Sequence, residues 1–275
     1  MRNVLITGAA SGIGRATAVA FAAAGDRVVA GVRRPDSATE VAGATVVELD
    51  VCDEGSVERA VGENGPFDVV VNNAGISRSG PVETIDWDLA RAQFETNYWG
   101  ALRVIRAALP AMRERRNGLV VNLSTVGART PARGYHAFYQ GSKQALQAAS
   151  QALAWEVEPF GIRVVLIEPG FVSTNIFEAG GYEEAPPASP YAADEAWVRR
   201  FFVAGAAAVG IPPEHVARAI VDLASRSGSL DLHQPVGDDA RAGIEAAQAL
   251  PFEVWRAGAQ SRIAALVGER PSTPA

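Results

Sequence analysis

The chain has 275 residues, 48% of them hydrophobic, and a formal net charge of −6. That is enough apolar material for a full core, and an acid balance that argues against nucleic acid or an anionic membrane as the main partner. A lone cysteine, Cys52, leaves no internal disulfide and fits a reducing, cytoplasmic compartment. Three scattered histidines (His136, His215, His233) lack metal-ligand spacing, so no metal is expected. No run approaches the roughly 18 apolar residues of a membrane span, and the opening MRNVLITGAASGIG breaks into glycine too soon for a signal peptide.

In chain order, short Val-, Leu- and Ile-rich runs alternate with longer helical patterns. Strands are expected at 4–7, 27–32, 45–49, 68–72, 119–123 and 163–167, and helices at 14–24, 54–63, 89–116 and 139–159. Apolar runs without alternation suit strands buried on both faces, and strand–helix alternation implies a parallel sheet wrapped by helices: an α/β fold. The stretch NIFEAGGYEEAPPASP changes character, being rich in Gly, Pro and acid. A helix at 194–208 follows, and Pro212 and Pro213 then open another. Residues 1–270 are expected to form one domain, with 175–210 as a substrate lid and 271–275 as a frayed tail.

The first strand runs into TGAASGIG, Thr7 to Gly14, and then a helix. Glycines there let the backbone turn tightly and approach a diphosphate, which sits against the helix N-terminus. Gly8, Gly12 and Gly14 are spaced wider than G-x-G-x-x-G. Further on come Asp50 in LDV, NNAG at 72–75, Asn97 in TNYWG, Tyr139 and Lys143 in YxxxK, and PGFVST at 169–174. This ordered set, spread over about residues 1–240, resembles the short-chain dehydrogenase/reductase family. The resemblance implies a Rossmann-like, doubly wound, parallel seven-stranded sheet with helices on both faces. It also implies a nicotinamide dinucleotide and a homodimer or homotetramer.

The second strand ends GDRVVAGVRRP. Where an NAD enzyme would place Asp or Glu for the ribose 2′-hydroxyl, this chain has Val32, then Arg33 and Arg34. Two guanidiniums suit a 2′-phosphate, so NADP(H) is favoured over NAD(H). By resemblance, the cofactor lies against Gly8, Ser11, Gly12, Ile13 and Gly14, and against Pro169, Gly170, Val172 and Thr174. Asp50 and Val51 take the adenine, and Asn73, Ala74 and Gly75 line its ribose.

Tyr139 and Lys143 stand four apart on one helical face. A free phenol titrates at about 10, and a nearby ammonium favours the phenolate, moving it toward a working pH for proton exchange with a carbonyl or alcohol. Lys143 is the single lysine among 25 cationic side chains. A compact ammonium beneath a ribose is something the wide arginine fork does not provide. The family also uses a hydroxyl after the fifth strand. Here the sequence is NLSTVG, and Thr125 occupies that slot with Ser124 before it; Thr125 is preferred, although its methyl restricts χ1. Asn97, by resemblance, supports a helix kink and a water leading to the lysine.

The expected function is therefore an NADP(H)-dependent oxidoreductase interconverting a ketone or aldehyde and an alcohol. The alternatives are an epimerase or lyase with retained cofactor and a non-catalytic dinucleotide-binding regulator. Phe177, Tyr182, Tyr191, Trp197, Phe201 and Phe202 in the lid point to a large apolar substrate, or else to a lid packed on the body. Tyr135 could line the pocket or pack locally, and Trp155 belongs to a core or a subunit interface.

Overall fold

The computed structural model describes residues 1–36, 40–174, 176 and 188–271. Seven strands form one sheet: β1 (Asn3–Thr7), β2 (Arg27–Val32), β3 (Thr45–Glu48), β4 (Val69–Asn72), β5 (Gly118–Leu123), β6 (Ile162–Pro169) and β7 (His233–Val236). Their order is β3-β2-β1-β4-β5-β6-β7, and every neighbouring pair is parallel. This is the doubly wound α/β sheet, with helices packed on both of its faces.

Side chains alternate across a strand, so each buried run feeds two cores. From β1, Val4 and Ile6 meet Phe21 and Ala18 of α1 (Gly12–Ala23) and Val216 and Ile220 of α7 (Pro213–Ser225). Leu5 points the other way. Its cluster takes Val57 and Ala60 from α2 (Glu54–Asn64), Val104, Ile105 and Met112 from α4 (Ala101–Arg115), and Leu153 and Val157 from α5 (Ala137–Val157).

The helix expected at 89–116 is interrupted. It runs as α3 (Trp87–Phe94), a π-helical turn (Glu95–Gly100), and α4. A π turn inserts one extra residue per turn and rotates everything beyond it, commonly at functional sites. Three more helices follow β6: α6 (Ala192–Val209), α8 (Asp238–Ala249) and α9 (Phe252–Val267), the last two unanticipated from the sequence. Among the described residues no helix is long and apolar enough to cross a membrane.

A third cluster joins α6 to α9: Trp197, Val198 and Phe201 against Ile263. The Trp197 indole donates to Gly268 O at 2.7 Å. Asp194 accepts from Tyr135 Oη at 2.5 Å and from Arg270 Nε and Nη2 at 2.7 and 2.6 Å. Tyr135 therefore packs locally, holding α6 to the loop before α5. Residues 175 and 177–187 of the expected lid, Phe177 and Tyr182 among them, lie outside the described residues, as do 272–275 of the expected tail.

Helix α5 is bolted to the sheet by a buried amide chain. Asn72 Nδ2 donates to Asn122 Oδ1 (2.8 Å), Asn122 Nδ2 donates to Ser150 Oγ (2.8 Å), and Ser150 Oγ donates to Leu146 O (2.7 Å). Partly satisfied buried networks are costly. Asn122→Ala should therefore cost about 2–3 kcal/mol, seen as a lower urea midpoint with unchanged m-value.

Candidate active site

Because all strands run parallel, their C-terminal ends share one edge, and strand order reverses there between β1 and β4, opening a crevice. Most of the expected cofactor residues gather at that edge, on loops, at the ends of β2 and β6 and on the first turn of α1, while Asn97 sits in the π turn and Tyr139 and Lys143 on α5. Among these loops, the glycine turn after β1 lies beside the end of β2, with Ala9 N donating to Gly31 O at 3.0 Å. Val32 is buried there, and Arg33 and Arg34 are exposed just beyond it.

Ser11 N-caps α1 without a side-chain capping bond, and the first turn holds no acid. The leading N–H groups have no side-chain acceptor, and the positive end of the helix is open to an anion. This is the arrangement a dinucleotide diphosphate requires. The glycines also have a second reason. Asn73 Nδ2 donates to Thr7 O (2.9 Å) and Gly8 O (3.1 Å), while Thr7 Oγ1 accepts from Asn73 N (3.1 Å) and Ala74 N (3.0 Å). A Cβ on Gly14 would lie 2.4 Å from both Gly8 O and Asn73 Nδ2, so packing of α1 on the NNAG loop demands glycine even before a ligand does. Thr174 packs beside Gly12. After β3, Asp50 Oδ1 accepts from Cys52 N at 2.9 Å, and Val51 is buried against Gly100 of the π turn.

Asn97 sits in that π turn. Its Oδ1 accepts from Ile76 N (2.8 Å), and its Nδ2 donates to Ile76 O (2.9 Å) and Ser142 Oγ (2.9 Å). Ser142 Oγ in turn donates to Tyr139 O at 2.7 Å. The amide thus clamps the NNAG loop to α5, and these bonds engage both of its N–H groups. Lys143, buried, donates from Nζ to Leu123 O at 2.7 Å. A Cβ on Gly75 would come 3.5 Å from that Nζ and 3.2 Å from Asn97 Oδ1, so Gly75 keeps the slot open for the ammonium.

Tyr139 is half-buried and lines a cavity. Thr125 Oγ1 accepts from Gly127 N at 3.2 Å and lies close enough to the phenol to favour its ionised form. Ser124 Oγ is buried without a hydrogen-bond partner. One cavity of about 490 Å³ takes in Ile13, Asn73, Gly75, Ser124, Thr125, Tyr139, Lys143, Pro169, Gly170, Val172 and Thr174. The remaining expected residues stand outside its lining: Gly8, Ser11, Gly12, Gly14, Arg33, Arg34, Asp50, Val51 and Ala74 on the loops at the same strand edge, and Asn97 behind it. Phe201 and Phe202 of α6 line the cavity, whereas Trp197 packs against α9. Helices α8 and α9 add Asp239, Gly243, Trp255 and Arg262, and the loop before α5 adds Arg133 and His136. None of these was expected at the site from the sequence, where His136 was weighed only as a metal ligand and set aside; amphipathic spacing after residue 237 is the signal that would have found the two helices.

The electrostatics correct one expectation. Lys143 does not bring the Tyr139 phenol down. Burial dominates and pushes it up to about 12, with only the Thr125 hydroxyl pulling the other way. The ammonium itself suffers, since burial lowers Lys143 from 10.5 to about 8. Between those two pH values the unfolded chain binds more protons, so this group's contribution to stability rises with pH there. At neutral pH the buried ammonium is a net cost of about 3 kcal/mol. Lys143→Met should therefore melt higher, by about 5 °C, while losing turnover; an unchanged or lower melting temperature at pH 7 would show that the ammonium is not strained.

Comparison with known proteins agrees with this geometry. The family model described as short chain dehydrogenase matches residues 2–184. A 3-ketodihydrosphingosine reductase of Bacteroides thetaiotaomicron is 36% identical over 191 residues, 66% of this chain and 70% of that protein. The crystal structure of a short-chain dehydrogenase from Streptomyces avermitilis superposes with a TM-score of 0.79 at 33% identity, covering 95% of this chain and 98% of that one. Another, from Burkholderia cenocepacia in complex with NADP, gives 0.72 at 25% identity, covering 95% and 97%. With the parallel sheet, the glycine turn and the Tyr139–Lys143 pair in place, the chain belongs to the short-chain dehydrogenase/reductase family of oxidoreductases.

Proposed function

We propose that the protein is an NADP(H)-dependent oxidoreductase that interconverts a ketone or aldehyde and an alcohol, with Tyr139 as the acid/base. The observation that carries this is convergence: the phenol of Tyr139, the hydroxyl of Thr125 and the ammonium of Lys143 line one cavity that reaches the glycine turn through Ile13 and Thr174.

The nicotinamide, when bound, supplies or accepts the hydride. The open N-terminus of α1 would take the diphosphate, Asp50 and Val51 the adenine end, Asn73 to Gly75 its ribose, and Pro169 to Thr174 the nicotinamide end. Lys143 keeps two N–H groups after its bond to Leu123 O, enough for ribose hydroxyls. Thr125 orients the carbonyl oxygen, and Tyr139 Oη delivers its proton there. Thr125 is preferred over Ser124 because its hydroxyl already acts on the phenol. Buried Val32 followed by exposed Arg33 and Arg34 supports the 2′-phosphate form of the cofactor. The segment 175–210 serves as substrate lid, through Phe201 and Phe202. Trp155, 81% exposed on α5, is not core; it supports pairing of copies through that helix, as a dimer or tetramer.

A phenol held at about 12 carries its proton throughout the neutral range. Reduction, which needs that proton, should stay level from about pH 6 to 8, while oxidation, which needs the phenolate, should climb over the same range. Tyr139→Phe should abolish nicotinamide turnover on a carbonyl panel and leave NADPH binding within about twofold; retained turnover would remove Tyr139 as the acid. Arg33→Ala combined with Arg34→Ala should weaken NADPH by at least about tenfold more than NADH, and equal losses would overturn the cofactor preference.

A further inference from the structure

The two ends of the cavity differ in chemistry. Tyr139, Thr125 and Lys143 stand at the reacting end, and the far wall is built from Phe171, Phe201, Phe202, Val209, Trp255 and Leu266. Within that wall lie two guanidiniums, those of Arg133 and Arg262. Arg133 is packed among rings, its Cζ lying 5.7 Å from the centroid of Phe201, 6.0 Å from Phe202 and 5.7 Å from Trp255.

Ring stacking uses the faces of a guanidinium and leaves its in-plane N–H donors unspent. Arg133 Nε is buried and donates to nothing, and among the described residues no acid pairs with this side chain. Burial, and then the like charge of Arg262, lower its pKa to about 10, so it stays charged at neutral pH at a cost. Its neighbours offer no relief. The carboxylate among the lining residues, Asp239, is occupied, with Oδ2 accepting from Phe171 N at 2.7 Å. His136 stacks on Phe202 at 4.3 Å and is held neutral by burial, which lowers it to about 4.

The position is also fixed. Gln140 Oε1 accepts from Arg133 N (2.8 Å), and Gln140 Nε2 donates to Gly127 O (2.8 Å). The Arg133 backbone is thereby tied to α5 at the residue after Tyr139, giving the guanidinium a set place relative to the phenol. A half-buried guanidinium whose buried Nε donates to nothing, in an apolar chamber of about 490 Å³, calls for an anion that arrives with the ligand.

We propose that the substrate carries a carboxylate remote from its reacting carbonyl, that Arg133 pairs with it through its planar fork, and that Arg262 adds attraction at the exposed rim. The substrate class is an oxo acid or hydroxy acid with an apolar body between its two polar ends. This rests on the reading of Tyr139 as the reacting end, but it is tested by binding, independently of turnover. A dianionic phosphate ester is disfavoured because desolvating the second charge among these rings costs more than one guanidinium fork returns.

Octanoate and octanamide, alike in chain and different in charge, are the probes, titrated by calorimetry into the wild-type protein and into Tyr139→Phe. Octanoate should bind at least about tenfold tighter than octanamide to both, and Arg133→Gln should bring the two within about twofold. Arg133→Lys keeps the charge without the planar fork, and serves if Arg133→Gln folds poorly; the octanoate preference should fall severalfold in it. Equal affinities in the wild type, a preference that survives both Arg133 substitutions, or octyl phosphate binding tighter than octanoate would each overturn the proposal. In turnover with NADPH, benzoylpropionate should exceed its methyl ester in kcat/KM by about tenfold, chiefly through KM. If no carbonyl is turned over while the octanoate preference stands, the oxidoreductase reading fails and the carboxylate site at Arg133 still holds.

Discussion

Lys143 holds an ammonium out of water, bonded to the main-chain oxygen of Leu123 at the end of β5. An ion so placed is tolerated only if its surroundings are fixed, because any loosening either hydrates it or leaves it unpaired. Much of the local structure answers that demand. Gly75 leaves room for the Nζ, and Asn97 clamps the loop that carries Gly75. The π turn presents Asn97, and Ser142 joins it to the carbonyl of Tyr139. The Asn72–Asn122–Ser150 chain then secures α5 to the sheet two turns further on. Stability is given up at the centre of this arrangement and recovered around it, as is common where chemistry requires an awkward group.

The same logic separates the cofactor edge from the reacting chamber. At the glycine turn, open N–H groups and exposed arginines present positive charge to solvent, where ions are held at little desolvation cost. In the chamber, the phenol and ammonium are both displaced toward their neutral forms. A dry site strengthens whatever charge a bound ligand brings, so the phenol and the ammonium respond to occupancy more than they could in water.

Strands were the most legible part of the sequence. Buried parallel strands are continuous apolar runs, and the six expected ones fall within a residue or two of their observed limits. The strand β7 was implied only by family resemblance, since HQPV offers a histidine, a glutamine and a proline and little apolar signal. The π turn left no trace in the periodicity, which one added residue hardly changes; only the resemblance, through a helix kink at Asn97, pointed to it. The ordered motifs located the edge of the sheet and the Tyr139–Lys143 pair. They could not give the balance between burial and charge at the phenol, which depends on how deeply the third dimension encloses it. Arg133 was invisible for a plainer reason: it is one arginine among many, and only the rings around it, drawn from α6 and α9, make it unusual.

Helices α8 and α9 line the chamber from beyond the last strand, whereas the glycine turn, Tyr139 and Lys143 come earlier in the chain. Part of the chamber wall is thus written in a different stretch of sequence from the phenol and the ammonium, whereas Arg133 falls between Thr125 and Tyr139. A change of ligand can therefore be sought in α8 and α9, a stretch separate in sequence from the glycine turn, the phenol and the ammonium.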